Sequence, residues 1–168
     1  MPSPAALPVS SPPSTVRRMG TAALGMGWRE WFSAIAAWLL IALASLLLRV
    51  VHFRHLAGLL GKSLGAVSCV PLIDAAQEAR AVRVHRAIAR AIQLSPWRAD
   101  CLPQALAAAV LCRWLRVPAA VHFGVALPEG EKMAAHAWLV SGQIAVTGGA
   151  SFRDFTTVAC FASGFRTA

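Results

Sequence analysis

The spacing of apolar positions predicts that the chain begins with helices and ends with strands. Over residues 72–94, Val84, Ile88 and Ile92 recur every four positions, while arginines occupy the other helical faces. This period is typical of an amphipathic helix that covers a core with one side. His85 falls on the same helix, and we expect it to be solvated because no partner lies at helical spacing.

A second helix is predicted to begin beside Cys101. Ser95-Pro96 ends the preceding helix, and Pro118 ends this one. Asp100 suits the N-cap position, and Pro103 suits the first turn, where its missing N–H is not needed. Cys101 is therefore expected at or near a helix N-terminus.

The pattern changes to alternation after Pro118. The segment 119–127 places Val121, Phe123 and Val125 on one face, which indicates a half-buried strand. Two more short strands are predicted at 135–140 and 143–147, joined by a tight turn. The end of the chain, 148–168, is expected to be loop-like with an aromatic patch. Helices followed by an antiparallel sheet predict an α+β fold.

The N-terminal third differs in composition from the rest. Residues 1–27 are rich in Pro, Ser, Ala and Gly, and we expect a disordered tail. Residues 28–60 form an apolar helical segment, and the catalytic domain is predicted over 61–168. No charge occurs between Trp31 and Leu48, which reaches the length of about 18 residues for a membrane span. The sequence leaves open whether 31–48 spans a membrane or packs within the protein.

Composition and charge narrow the function classes. The 168 residues are 57% hydrophobic, and the net charge is +9. This positive net charge favours binding to anionic lipid, to an acidic peptide or to nucleic acid. Because the sequence contains no nucleic-acid motif, we predict no nucleic acid partner. The four cysteines include no CxxC pair, which favours free thiols in a reducing cytoplasm, with association with the inner membrane left open.

Cys101 is the candidate nucleophile. A helix N-terminus lowers the pKa of a thiol and offers backbone N–H groups to an oxyanion. Cys112 lies three turns further along among apolar residues and is expected to fill the core. Cys69 and Cys160 have no recognisable activating context.

His136 is the candidate general base, because it begins a predicted strand after the cysteine helix. His122 is its competitor, but it points away from the face of Val121 and Phe123, and we expect it to be exposed to solvent. The group that orients the imidazole is left open between Thr147, Asp154 and a backbone carbonyl.

Zinc held by Cys101, His136 and another cysteine is a weaker alternative. No two of these candidate ligands have paired ligand spacing. We therefore predict no metal and no cofactor.

Several short boxes together resemble the B proteins of lasso-peptide biosynthesis, which are transglutaminase-like cysteine proteases. The boxes are Trp97, Cys101-Leu102-x-Gln104-Ala105, Phe123-Gly124-Val125 and His136-Ala137-Trp138. The resemblance covers residues 45–150. It implies a papain/transglutaminase-like fold with a Cys101–His136 pair, and substrate contacts from Trp97, Gln104 and Trp138.

The resemblance also implies a reaction and partners. The enzyme would remove the leader from a ribosomal lasso precursor and free an amine for macrolactam formation. Its partners would be the precursor peptide, a separate leader-recognition protein and an ATP-dependent cyclase. Many family members carry an Asp near the position of Thr147 or Gly148, which this chain lacks. A non-catalytic membrane-associated scaffold and a transglutaminase-type acyl transferase are the alternatives.

Overall fold

The computed structural model describes residues 27–127, 133–149 and 154–164, and within them it has four helices and five strands. The helices are α1 (Trp28–Val50), α2 (Phe53–Leu60), α3 (Ala75–Leu94) and α4 (Cys101–Trp114). The strands are β1 (Lys62–Gly65), β2 (Ala119–Ala126), β3 (Ala134–Ser141), β4 (Ile144–Thr147) and β5 (Thr156–Ser163). The predicted α+β class is confirmed. Apart from Gly27, the predicted disordered tail lies outside the described residues.

The strands form one antiparallel sheet in the order β1-β5-β2-β3-β4. The expectation of a loop over the whole of 148–168 is wrong, because β5 lies between β1 and β2. Its residues are mostly small, so neither face shows a clear apolar alternation. Pairing with distant strands, rather than local pattern, therefore defines β5.

α1 packs into the protein by one face only. Ala34, Ala37, Ile41 and Ala44 are buried at spacings of three and four residues, and the helix contacts α3 and α4. The opposite face carries exposed apolar side chains, namely Trp28, Phe32, Ile35, Leu39, Leu43, Leu46 and Val50. Among the described helices, α1 has the length and composition to cross a membrane over Glu30–Val50. One face nevertheless belongs to the core.

α3 matches the predicted amphipathic helix. A capping box begins it: Asp74 accepts a hydrogen bond from the Gln77 backbone, and the Gln77 side chain accepts one from the Asp74 backbone. Val84 and Ile88 are buried against the core. His85 is exposed, as expected, and its Nδ1 lies 3.1 Å from the carbonyl oxygen of Val146 on β4.

α4 is the central helix of the fold. Its buried residues include five in succession, Ala105–Ala109, and the four alanines among them allow α1, α3 and the sheet to approach closely. A short connection over 115–118 returns the chain from α4 into β2. β2 therefore runs back along α4, so the start of α4 lies at the end of the sheet where β2 ends and β3 begins.

Candidate active site

Cys101 is the first residue of α4 and is half-buried. The N-cap residue Asp100 makes no side-chain hydrogen bond to the helix, in contrast to Asp74 at the start of α3. The first backbone N–H groups of α4 therefore receive no side-chain cap from Asp100. They are positioned to stabilise negative charge beside the Cys101 sulfur, either on a thiolate or on an oxyanion.

Two residues of the predicted substrate contacts flank this helix start. The Gln104 amide donates a 2.7 Å hydrogen bond to the carbonyl oxygen of Ala99, which ties the loop before α4 to its first turn. Trp97 is 37% exposed, and its ring lies 5.2 Å from that of Trp38 on α1. Gln104 thus supports the helix start, while Trp97 keeps a surface that a ligand can reach.

A cavity of about 790 Å³ adjoins the helix start. Its lining includes Arg49 and Phe53 from the junction of α1 and α2, and Trp97, Asp100 and Leu102 from the α4 side. Asp100 and Leu102 are the two chain neighbours of Cys101. The cavity thus reaches both chain neighbours of Cys101, although Cys101 is not among the residues that line it.

His136 lies on β3, and its ring is held on several sides. Its Nε2 is 3.2 Å from the carbonyl oxygen of Gly148, and the ring stacks at 6.0 Å on Trp138 and lies 5.1 Å from Phe155. When Nε2–H donates to this carbonyl, Nδ1 carries the lone pair that accepts a proton. The imidazole thus contacts a backbone carbonyl, one of the orienting groups that the sequence left open, and its role in catalysis stays a prediction.

Gly148 can supply this carbonyl because it has no side chain. Its φ is 90°, a region that favours glycine. A Cβ at this position would overlap Trp138 Cβ and would lie 3.1 Å from His136 Nε2. The place where the resemblance leads one to look for an Asp thus holds a glycine whose main chain contacts the imidazole.

Three other predicted site residues have different surroundings. Thr147 is 5% exposed, and its Oγ1 accepts a 3.0 Å hydrogen bond from the Leu139 backbone N–H. Asp154 is exposed at the start of the segment that leads into β5. Trp138 is 4% exposed, and its indole contacts the rings of His136 and His122. The indole is thus placed to position imidazoles.

Cys101 and His136 lie at the same end of the sheet but against different faces of it. Ala137 and Leu139 on β3 share the main core with Cys101, whereas His136 alternates with them and projects to the other side. The ladder between β3 and β4 ends at Leu139↔Thr147, so β3 is an edge strand at residue 136. The two side chains would have to meet around this edge, and the dyad stays a prediction.

The structure brings together a second group that sequence reasoning missed. Cys69, His122 and Cys160 have ligand atoms that all lie within 4.8 Å of one another. The expectation that His122 is exposed is wrong, because it is 1% exposed and the segment before α3 covers its face of the sheet through Cys69. A histidine within an apolar strand was the available signal, but its partners are 53 and 38 residues away.

Burial shifts the pKa values of a buried histidine and two buried cysteines. Desolvation lowers the pKa of His122, which favours a neutral imidazole. Desolvation, together with the neighbouring Cys69, raises the pKa of Cys160 to about 12. It also raises the pKa of Cys112 to about 12, and the prediction that Cys112 fills the core is confirmed by its complete burial.

Comparison with known proteins identifies one family. The family model of the transglutaminase-like superfamily matches residues 45–160, from the end of α1 to the middle of β5. Neither the curated proteins nor the solved structures give a significant match to this chain.

Proposed function

Because the chain belongs to the transglutaminase-like superfamily, which groups cysteine proteases with acyltransferases, we propose that it is a leader peptidase acting on a ribosomal lasso-peptide precursor. The observation that supports this most directly is the held imidazole of His136, with Nε2 on the Gly148 carbonyl oxygen. Cys101, at the start of α4, is the thiol at the same end of the sheet. The resemblance of the boxes around both residues supplies the substrate class.

In the proposed reaction, Cys101 and His136 act first in forming a thioester and then in its hydrolysis. His136 Nδ1 takes the Cys101 proton, and the thiolate attacks the carbonyl carbon of the leader–core amide. The backbone N–H groups at the start of α4 stabilise the oxyanion. The imidazolium then protonates the departing core amine, which leaves a thioester on Cys101. Water, deprotonated by His136, hydrolyses the thioester and regenerates the thiol.

The leader would lie in the cavity of about 790 Å³ beside the helix start. Arg49 and Arg98 line this cavity, so acidic or polar leader residues would meet positive charge there. The precursor would be presented by a separate leader-recognition protein, and the product would pass to the ATP-dependent cyclase. Both partners are supported by the family resemblance.

The exposed apolar face of α1 supports a location at a membrane surface. The opposite face packs on α3 and α4, and Glu30 forms a 3.0 Å ion pair with Arg90 of α3. A span across the bilayer would break these contacts, whereas a helix lying in the plane of the interface would keep them. We therefore propose a cytoplasmic protein that rests on anionic lipid, to which its net charge of +9 attracts it.

Substitution of the nucleophile tests the activity. Full-length protein, the precursor peptide and the recognition protein are incubated, and the products are identified by mass spectrometry. Cys101→Ala should abolish leader release, whereas Cys112→Ala, which alters a thiol buried in the same helix, should retain it. Hydrolysis adds one water to the products, while a transglutaminase-type transfer from a glutamine side-chain carboxamide to an amine releases ammonia. Leader release by Cys101→Ala at the wild-type rate would exclude this mechanism.

A non-catalytic scaffold is the second candidate, and the placement of Cys101 and His136 against different faces of the sheet favours it. A scaffold would bind the precursor without cleaving it. Iodoacetamide distinguishes the two, because a catalytic Cys101 should be alkylated near neutral pH faster than an ordinary half-buried thiol.

A further inference from the structure

We propose that Cys69, His122 and Cys160 form a zinc site on the face of the sheet opposite α4. The three residues come from the segment before α3, from the middle of β2 and from the middle of β5. His122 and Cys160 are directly opposite each other in the β2–β5 register. The fold therefore assembles three soft or borderline ligands that no local motif would place together.

The spacing of the two sulfur atoms fits a shared metal ion. Cys69 Sγ and Cys160 Sγ are 3.6 Å apart. Two thiolates on a tetrahedral zinc ion, each about 2.3 Å from the metal, are separated by about 3.8 Å. A small adjustment of the half-buried Cys69 would complete this geometry. Zinc would replace the two thiol protons, which pass to solvent, and no redox step is involved.

His122 adds an observation that is independent of the sulfur spacing. The side chain is 1% exposed, and its Nδ1 has no hydrogen-bond partner. Its Nε2 accepts a 3.2 Å hydrogen bond from the Cys69 backbone N–H. Buried polar atoms without partners are uncommon and costly. Because Nε2 accepts this bond, the neutral ring carries its proton on Nδ1. Zinc bound through Nδ1 would move that proton to Nε2, and the Cys69 backbone N–H would give up this acceptor as Cys69 adjusts. The metal would then supply the partner that the buried Nδ1 lacks.

A cavity of about 350 Å³ borders the cluster at His122. His122 lines it, and so do Ser68 and Val70, the two chain neighbours of Cys69. Two cysteines and one histidine supply three ligands, so a tetrahedral ion would keep a fourth position for water. The cavity also gives the ion a route into the site.

The metal would fasten the segment before α3 to the two central strands. The His122 ring stacks at 5.4 Å on Trp138, and Trp138 stacks on His136. A fixed His122 would therefore hold one end of the ring stack that supports His136. The proposed zinc is structural in this role, and its presence is independent of whether the chain cleaves peptides.

Metal analysis of the full-length protein tests the site. The protein is purified under reducing conditions, dialysed against Zn²⁺ and then against buffer, and its zinc content is measured by mass spectrometry. We expect one zinc ion per chain, and a chelator should lower Tm. Replacement of zinc by Co²⁺ should give the absorption bands of thiolate ligation in a tetrahedral site.

Cys69→Ser is the decisive variant, because Cys69 is half-buried and lies outside the helices and strands. Zinc affinity should fall by more than the roughly 10- to 100-fold that loss of an outer-shell partner causes. Cys101→Ser, a half-buried thiol on the other side of the sheet, is the matched control and should retain zinc.

Three outcomes would overturn the proposal. They are free thiols without zinc, a Cys69–Cys160 disulfide in the non-reduced peptide map, and zinc retained in full by Cys69→Ser. The Co²⁺ spectrum of the wild-type protein keeps the test valid even if the variant fails to fold.

Discussion

Gly148→Ala should separate the orientation of His136 from the general stability of the fold. The substitution adds a methyl group that overlaps Trp138 Cβ and approaches His136 Nε2 to 3.1 Å. The flexible end of a side chain could move away, but Trp138 Cβ is fixed by its strand. The chain at residue 148 must therefore shift, and it carries the carbonyl that holds the imidazole.

The magnitude follows from two separate costs. An alanine at a φ of 90° costs about 1–2 kcal/mol relative to ordinary backbone. Overpacking against Trp138 adds about 1–3 kcal/mol. The free energy of unfolding should thus fall by about 2–5 kcal/mol. Displacement of the carbonyl by an ångström or so should lower kcat on the order of 100-fold, with a much smaller change in KM.

Gly149→Ala is the matched control. Gly149 also has a positive φ of 60°, but a Cβ there would meet nothing within 4 Å. The free energy of unfolding of Gly149→Ala should fall only by the backbone cost of about 1–2 kcal/mol, and this variant should keep the wild-type kcat. Urea unfolding and leader-release kinetics on both variants give the comparison. Equal kcat values would refute the idea that the Gly148 carbonyl positions His136, and equal losses of stability would refute the predicted clash with Trp138.

Two further predictions concern a buried thiol and α1. The pKa of Cys112 is raised to about 12, so the folded chain keeps a proton that the unfolded chain releases above about pH 9. Stability should therefore fall by up to about 1.4 kcal/mol per pH unit above that point, and Cys112→Ala should remove this part of the slope in urea unfolding. On α1, Leu39→Glu and Leu43→Glu should reduce sedimentation with vesicles of anionic phospholipid, whereas Gln93→Glu on α3 should not. Equal binding by all variants would contradict the membrane-surface proposal.

The helices were predictable because their signals are local. Val84 and Ile88 recur at the helical period and are buried in α3, and Asp100 and Pro118 bracket α4. β5 was not predictable in the same way. Its small residues become a strand only because β1 and β2 pair with its two edges, and these partners are far away in sequence.

In the candidate site, too, features with local signals were predictable and features that depend on distant residues were not. Residue type and helix position single out Cys101 as the candidate nucleophile, and strand position singles out His136 as the candidate base. The carbonyl that contacts His136 could not be foreseen, because a backbone carbonyl leaves no trace in residue type. Only the glycine at 148 marks it. His122 was misjudged for a related reason: alternation gives the face of the sheet correctly but does not say what covers that face, and here a distant segment carrying Cys69 covers it.

The Phe-Gly-Val and His-Ala-Trp boxes are one packing unit. Gly124 pairs with His136 across the β2–β3 ladder, and a Cβ at Gly124 would come within 2.7 Å of the Trp138 indole. The indole therefore needs a glycine on the neighbouring strand in order to lie flat between two imidazoles. The His136 ring in turn stacks on the Trp138 indole and has the Gly148 carbonyl oxygen as its hydrogen-bond partner. One glycine within β2 and another directly after β4 thus make room for the tryptophan that supports the histidine, which gives a physical reason for these residue types to occur together.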